Sequence, residues 1–409
     1  MKDLVIDRKE LRIHPAWLIL ACSILIQGGI IGLLVNPTGV LFTAVRMDRG
    51  FRAGDLSVYY TIRQIVMATT VSFTSRLFFE KNSRWVIGFL GLCGSASFVF
   101  MAGFHQLWQW YAAAVMAGIG ISCCAVVIPI VLNNWFRSKR GLVVGISMSA
   151  SGIVGACYSP FCSVVIERLG WRAAAVTTGV LSFAMVCLGC LFLVADPKMA
   201  GVEPYGADRT EEKKSSSSSR QKTGGSWMVY WIAVFALIGP NTYTQFNNQL
   251  PIFAQEAGYS LGTGAVLTSI SMMGNIIGKL GLGILSDKLG IFRAVSMLVV
   301  LLGGSQAAFL LGADVLPVMQ MGAFLYGSVY AMGTTAPSQV FLALYGEEKY
   351  RGKVRKTQML NSFVLAFAGM LFPYIYDFTG SFTPVFILGI VISMFSLALM
   401  LLLEHIYRH

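Results

Sequence analysis

Residues 274–290 read GNIIGKLGLGILSDKLG, an apolar segment that carries a lysine, Lys279, two turns before its charged end. A full charge in hydrocarbon costs about 2.5–3.5 kcal/mol on insertion scales, so the surroundings of this segment decide what kind of protein it belongs to. They are apolar nearly throughout. The chain has 409 residues, of which 56% are hydrophobic and 12% charged. That is about half the charged fraction of an average soluble domain, and the mean hydropathy is +0.68. Runs of about 20 apolar residues, each enough to cross a bilayer, recur from one end to the other. Twelve spans are expected, near 16–44, 55–78, 84–104, 107–134, 141–166, 172–195, 227–254, 262–285, 292–312, 315–344, 357–377 and 382–404. Their continuity, without strand-like alternation, selects helices over a barrel. The first run is too long for the apolar core of a signal peptide and is expected to remain in the mature protein. The fold class is an all-α membrane protein.

Basic residues give the orientation. With both termini cytoplasmic, 24 of the 31 Lys and Arg fall in cytoplasmic segments, while Arg46, Arg49, Arg52, Arg168 and Arg172 fall in the opposite loops. This is the positive-inside pattern. The net charge of +12 then reflects topology and contact with anionic lipid headgroups, and no nucleic-acid partner is expected. The expected location is the plasma membrane. All eight cysteines lie in spans. They read as small apolar residues, not as a disulfide framework or metal set. No metal or cofactor is expected.

Residues 196–226 break the apolar pattern with a charged, serine-rich segment that reads as a flexible cytoplasmic linker. It divides the chain into bundles at 1–195 and 227–409. The two carry matching features in the same order. Pro37 corresponds to Pro240, Glu80-Lys81 to Asp287-Lys288, Pro129 to Pro337, Arg140-Gly141 to Arg351-Gly352 and Pro160 to Pro373, at an offset growing from 203 to 213 residues. Five matches in order indicate a duplicated six-helix unit, the plan of carriers that rock one half against the other around a midplane site.

Gly283-Ile-Leu-Ser-Asp287-Lys288-Leu-Gly290-Ile-Phe-Arg293 resembles the loop signature of the major facilitator superfamily. The resemblance covers essentially the full length and implies twelve transmembrane helices in two pseudo-symmetric halves, with a monomer as the usual form. It also implies a conformational latch of Gly283, Asp287, Lys288, Gly290 and Arg293, with Arg140 in the first half. Gly283 would permit close helix contact, Gly290 a tight turn, and Asp287 an interaction with the positive end of a neighbouring helix. The first-half copy, Arg76 to Arg84, lacks the glycines. The junction at 133–155, NNWFRSKRGLVVGISMSASGIVG, resembles that of the monocarboxylate porters and the oxalate:formate antiporter family. Asn275 and Lys279 stand where those families often show a polar residue and an embedded cation. The antiporter family carries a second lysine within span 11, whereas 360–376 here has none. The resemblance also implies that spans 2 and 8 face each other across the interface between the halves.

Every Asp and Glu falls in a loop, a tail or a helix end, whereas Arg63 and Lys279 lie well inside spans. With no embedded carboxylate, the expected counter-ion is one that enters from water, an anionic substrate. Lys279 shares a helical face with Asn275 and Ser271. Arg63 has Tyr59 one turn before it and Met67 one turn after, and its guanidinium can grip a carboxylate bidentately. Gln27, Asn36, Tyr243, Gln245 and Tyr330, with Asn248 and Tyr326, are further polar candidates. Snorkelling is the competing reading. Lys279 is expected about six residues, roughly 9 Å, from the cytoplasmic end of its span. The function expected is secondary active transport of a small organic anion, a monocarboxylate in particular, by alternating access. The alternative is an exporter of neutral or amphiphilic compounds. An enzyme is not expected, because no nucleotide loop, metal spacing or embedded catalytic set is present. The four histidines lie near ends, so a resident proton relay is disfavoured; exchange, uniport and symport with the substrate's own proton stay open.

Overall fold

A computed structural model describes residues 14–80, 83–122, 124–138, 140–206 and 227–408. Its helical segments form twelve spans, at 16–49, 53–80, 83–101, 107–135, 140–169, 171–191, 227–256, 261–289, 291–311, 316–345, 347–379 and 383–408. Two of the long helices reverse direction within themselves. Gly170, at φ 82°, separates spans 5 and 6, a backbone angle that glycine adopts without steric cost.

Spans 1, 7 and 10 are broken, each at or beside a proline the sequence singles out. In span 1 a π-helical turn, Gly28–Gly32, leads to Pro37, and the helix resumes over Thr38–Arg49. In span 7 the helix Trp227–Asn241 passes through Pro240 into a tight 3-10 stretch, Thr242–Gln249. Span 10 pauses after Tyr330–Thr334 and restarts with Pro337 in its first turn. A proline removes one backbone donor, and local 3-10 or π geometry re-pairs the carbonyls it strands. Of these, spans 1 and 7 meet across the interface between the halves, Gly39 against Asn248.

Buried apolar side chains gather into two clusters, one centred on residues 16–195 and the other on 229–403, so each half has its own core. The end of the molecule carrying Ala16, Arg408 and residues 196–206 is termed the linker side, and the opposite end the far side. Residues 197–206 do not hang free. Tyr205 exchanges backbone hydrogen bonds with Trp135 (2.8 Å) and Arg137 (2.9 Å), and its ring packs against Trp17, Phe136 and His14. The flexible portion expected of the linker, with its serine run at 215–219, lies outside the described residues.

The halves pair differently from the sequence expectation. Span 2 packs on span 11, where the Thr61 hydroxyl donates to the Ala366 carbonyl (2.5 Å). Span 8 packs on span 5, where Ser269 donates to the Ala156 carbonyl (2.6 Å). Spans 2 and 8 therefore do not oppose each other directly.

Far-side contact is tight. A Cβ on Gly39 would lie 2.5 Å from the Asn248 carbonyl oxygen, and one on Gly54 would lie 2.6 Å from the Tyr374 ring. Only glycine leaves room for the Asn248 backbone at one position and the Tyr374 ring at the other. On the linker side Gly145, Gly281, Gly283 and Gly352 meet nothing within 4 Å. The far side is shut.

Candidate functional site

Arg63 lies ten residues into span 2, about 15 Å below its far end at 1.5 Å per residue. Its side chain is 5% exposed. The guanidinium carbon sits 5.6 Å from the ring centroid of Tyr59 and 5.4 Å from that of Tyr60. These ring faces supply part of the electrostatic partner a buried cation needs. Nη1 of Arg63 and the hydroxyl of Tyr59 are nevertheless buried without a hydrogen-bond partner. At Gly369 in span 11 a Cβ would lie 3.2 Å from Tyr60 and 3.7 Å from the Gln245 side-chain oxygen. Spans 2, 7 and 11 thus bring Arg63, Tyr59 and Gln245 into one neighbourhood. Tyr60, absent from the sequence-based set, belongs with them; its spacing of three residues before Arg63 was the available signal.

The helix that carries Lys279 is longer than the sequence suggested. Span 8 stays helical through Leu289, because Ser286, Asp287 and Lys288 continue the helix beyond the apolar stretch. The lysine is therefore ten residues, about 15 Å, from the helix end. It is half-buried and makes no hydrogen bond or ion pair among the described residues. Met273, Ile277, Leu280 and Ile284 form the exposed row of span 8. Gly274 and Gly278 press against span 10, and Ile276 against Gly152 of span 5. Lys279 follows Asn275 by one turn, on the inward flank between those two contacts. Asn275 is 5% exposed, with its side-chain oxygen unpaired. Ser271 is committed to Asn247 in span 7 (2.5 Å).

The remaining candidates divide. Gln27 donates to the Met148 sulfur (3.3 Å) and Asn36 to the Ser151 carbonyl (2.8 Å), so both join span 1 to span 5. Tyr330 reaches the Thr244 carbonyl (3.3 Å) and stays half-buried. Tyr243 is a correction. It is fully buried, its hydroxyl donates to the Val385 carbonyl (2.9 Å), and its ring packs on Phe372. The tight 3-10 stretch after Pro240 turns it into the C-terminal core. Tyr326 caps the Tyr243 carbonyl and is equally buried.

The latch also differs in part. Gly283 meets no neighbour, so it provides no close helix contact in this state. Gly290 takes φ 86° and turns the chain between spans 8 and 9. Asp287 and Lys288 are exposed, and Arg293 pairs with Glu404 of span 12 (2.8 Å). The side chains of Glu80, Arg140 and Arg351, and all of Lys81, lie outside what the structure describes.

Carboxylates near the interface are all engaged at the far rim. Asp377 accepts from the backbone of Ala53 and Gly54, and Asp55 accepts from Tyr374. Among the described residues, none pairs with Arg63 or Lys279.

The sequence matches the description Major Facilitator Superfamily over residues 24–356. The chain belongs to the major facilitator superfamily. Among curated relatives it is similar to the oxalate:formate antiporter of Oxalobacter formigenes, at 23% identity over 82% of this chain and 79% of that protein. It is likewise similar to human monocarboxylate transporter 11, at 24% identity over 91% of this chain and 79% of that protein. Among solved structures, the nucleoside transporter NupG superposes with a TM-score of 0.70 at 13% identity, covering 97% of this chain and all of that one. At that identity the likeness shows the shared fold alone. This superfamily member is a multi-pass membrane transporter and not an enzyme, and its fold is the two-halved helical architecture the sequence suggested.

Proposed function

We propose that this superfamily member is a secondary active carrier of a small organic anion, a monocarboxylate in particular, and that Arg63 and Lys279 are the groups that hold its charge. One observation carries the reading: two cations lie at the level of the spans with no carboxylate beside either among the described residues. Burial of an unpaired charge is costly, and a carboxylate entering from water supplies the partner. Arg63, fixed between two tyrosine rings, presents its free edge for a charge-assisted bond. Tyr59 adds a hydroxyl, and Asn275 and Gln245 add amides. Similarity to an oxalate:formate antiporter and to a monocarboxylate transporter supports the same substrate class.

Alternating access follows from the two halves, 1–195 and 227–409. By the charge distribution the linker side is cytoplasmic, in the plasma membrane, with both termini inside. The closed far side then corresponds to a carrier whose open path is to the cytoplasm. Release of the anion to the cytoplasm leaves Lys279 nearest the exit and Arg63 deeper. No titratable acid lies along this path among the described residues, which favours exchange, uniport or symport in which the substrate carboxylate brings its own proton. The carrier is proposed to act as a monomer.

The test is uptake into proteoliposomes. Wild-type protein is expected to accumulate a labelled short monocarboxylate, and Lys279→Gln to lose that uptake while remaining folded. Transport of neutral compounds, insensitive to competing carboxylates, would instead make the protein a carrier of neutral or amphiphilic cargo.

A further inference from the structure

Arg46 stands at the far rim of span 1, more than four turns before Arg63 in the chain, and the proposed function leaves it without a task. It is half-buried and makes no hydrogen bond or ion pair among the described residues. Its guanidinium carbon lies 5.6 Å from the ring of Tyr376 in span 11, across the gap between the halves. Its Nη1 is buried and unpartnered. Its neighbours in sequence are accounted for. Arg49 bonds to the Phe104 carbonyl and His105 and pairs with Asp48, which Arg172 also approaches; Arg52 lies over Phe378.

Arg46 shares a small cavity with Ser57, Tyr60, Asn248 and Gln249, about 10 Å³ in volume. Gln249 is 2% exposed and its side-chain oxygen is also unpartnered. The cavity is thus walled by both halves, and its lining includes an orphaned cationic donor, Arg46 Nη1, and an orphaned acceptor, Gln249 Oε1. Tyr60 is one of its walls, and the Arg63 guanidinium lies against the same ring.

We infer that Arg46, with Gln249, forms an entry subsite for the anion on the far side of the carrier. The subsite exists when the far side is open, since a cavity of this size is too small for a carboxylate. Arg46 would hold the carboxylate through a charge-assisted bond, and Gln249, its side chain turned so that the amide NH2 replaces the oxygen, would donate a second one. As the halves close, Asn248 moves onto Gly39, the subsite collapses, and the anion passes the Tyr60 ring to Arg63. Positive charge is then met in sequence, first at Arg46, next at Arg63 and last at Lys279. Such a series draws an anion inward without a single deep trap.

This inference rests on the organic-anion reading, and its test separates the two. Uptake of a labelled monocarboxylate is measured in proteoliposomes of uniform orientation, with substrate supplied from the far side or from the linker side. Arg46→Gln is expected to raise the far-side KM about tenfold, the effect of losing one charge-assisted bond. Its linker-side KM should remain within about twofold, because the subsite is collapsed in the linker-open state. Arg46→Lys is expected to recover most of the far-side affinity, since it keeps the charge. An unchanged far-side KM in a transporting Arg46→Gln protein overturns the subsite, as does an equal change from both sides, which a merely structural gate would give. If wild-type protein moves no carboxylate from either side, the parent reading fails and the subsite falls with it.

Discussion

Asp377, near the far end of span 11, accepts hydrogen bonds from the backbone N–H of Gly54 (2.6 Å) and of Ala53 (3.2 Å) at the start of span 2. A carboxylate from one half thereby caps a helix of the other. The first N–H groups of a helix have no partner within it, and its N-terminal end favours negative charge. This contact ties the halves together only while the far side is shut.

Removing that cap shifts the carrier toward its far-open state. Loss of a capping side chain costs about 1 kcal/mol, close to a fivefold change in population. Asp377→Ala in a Leu56→Cys background, where Leu56 is 3% exposed, should raise the rate of thiol labelling from the far side by about that factor. An unchanged rate would mean that the cap does not hold the gate.

Gly39→Ala should act in the same direction and more strongly. The new Cβ would fall 2.5 Å from the Asn248 carbonyl oxygen, closer than packed atoms tolerate, and that neighbour is backbone that cannot turn aside. The variant is expected to fold, to stay open on the far side and to transport at less than about one tenth of the wild-type rate. Wild-type turnover in Gly39→Ala would contradict the geometry of closure.

Arg63→Gln and Tyr59→Phe distinguish charge from hydroxyl at the centre. A hydrogen bond to a charged group is worth about 1.5–3 kcal/mol and a neutral one about 1. The KM for the monocarboxylate should therefore rise by about ten- to a hundredfold in Arg63→Gln, and by about fivefold in Tyr59→Phe. Equal and small effects in the two would place the anion elsewhere.

Tyr243→Phe should behave as a core substitution. Its hydroxyl serves the Val385 carbonyl, so the loss is about 1 kcal/mol of stability, seen as a lower melting temperature in detergent. The KM should not move. A raised KM with unchanged melting would return Tyr243 to the substrate site.

Much of the fold was legible because hydrocarbon imposes length and apolarity on every span, and duplication repeated the prolines. Arg63 was legible as a charge where charges are costly. Its aromatic seat was only half visible, since Tyr59 and Tyr60 look alike in sequence and rotation of span 2 brings both against the guanidinium. Tyr243 misled because the 3-10 geometry after Pro240 does not keep the 3.6-residue period on which face assignments rest. Gly283 matched a family signature, but a signature does not say in which state its contact forms. Arg46 and Gln249 come together only through the pairing of spans 1, 2 and 7, which no local spacing encodes.

The central claim is that Arg63 and Lys279 await an external anion. The direct measurement is thermal stabilisation of the purified wild-type and Arg63→Gln/Lys279→Gln proteins by a panel of short monocarboxylates and their amides. The account predicts that at least one carboxylate stabilises the wild type while its amide does not, and that the double variant, still folded, responds to neither. Equal stabilisation by the amide, or an undiminished carboxylate response in the double variant, would contradict it.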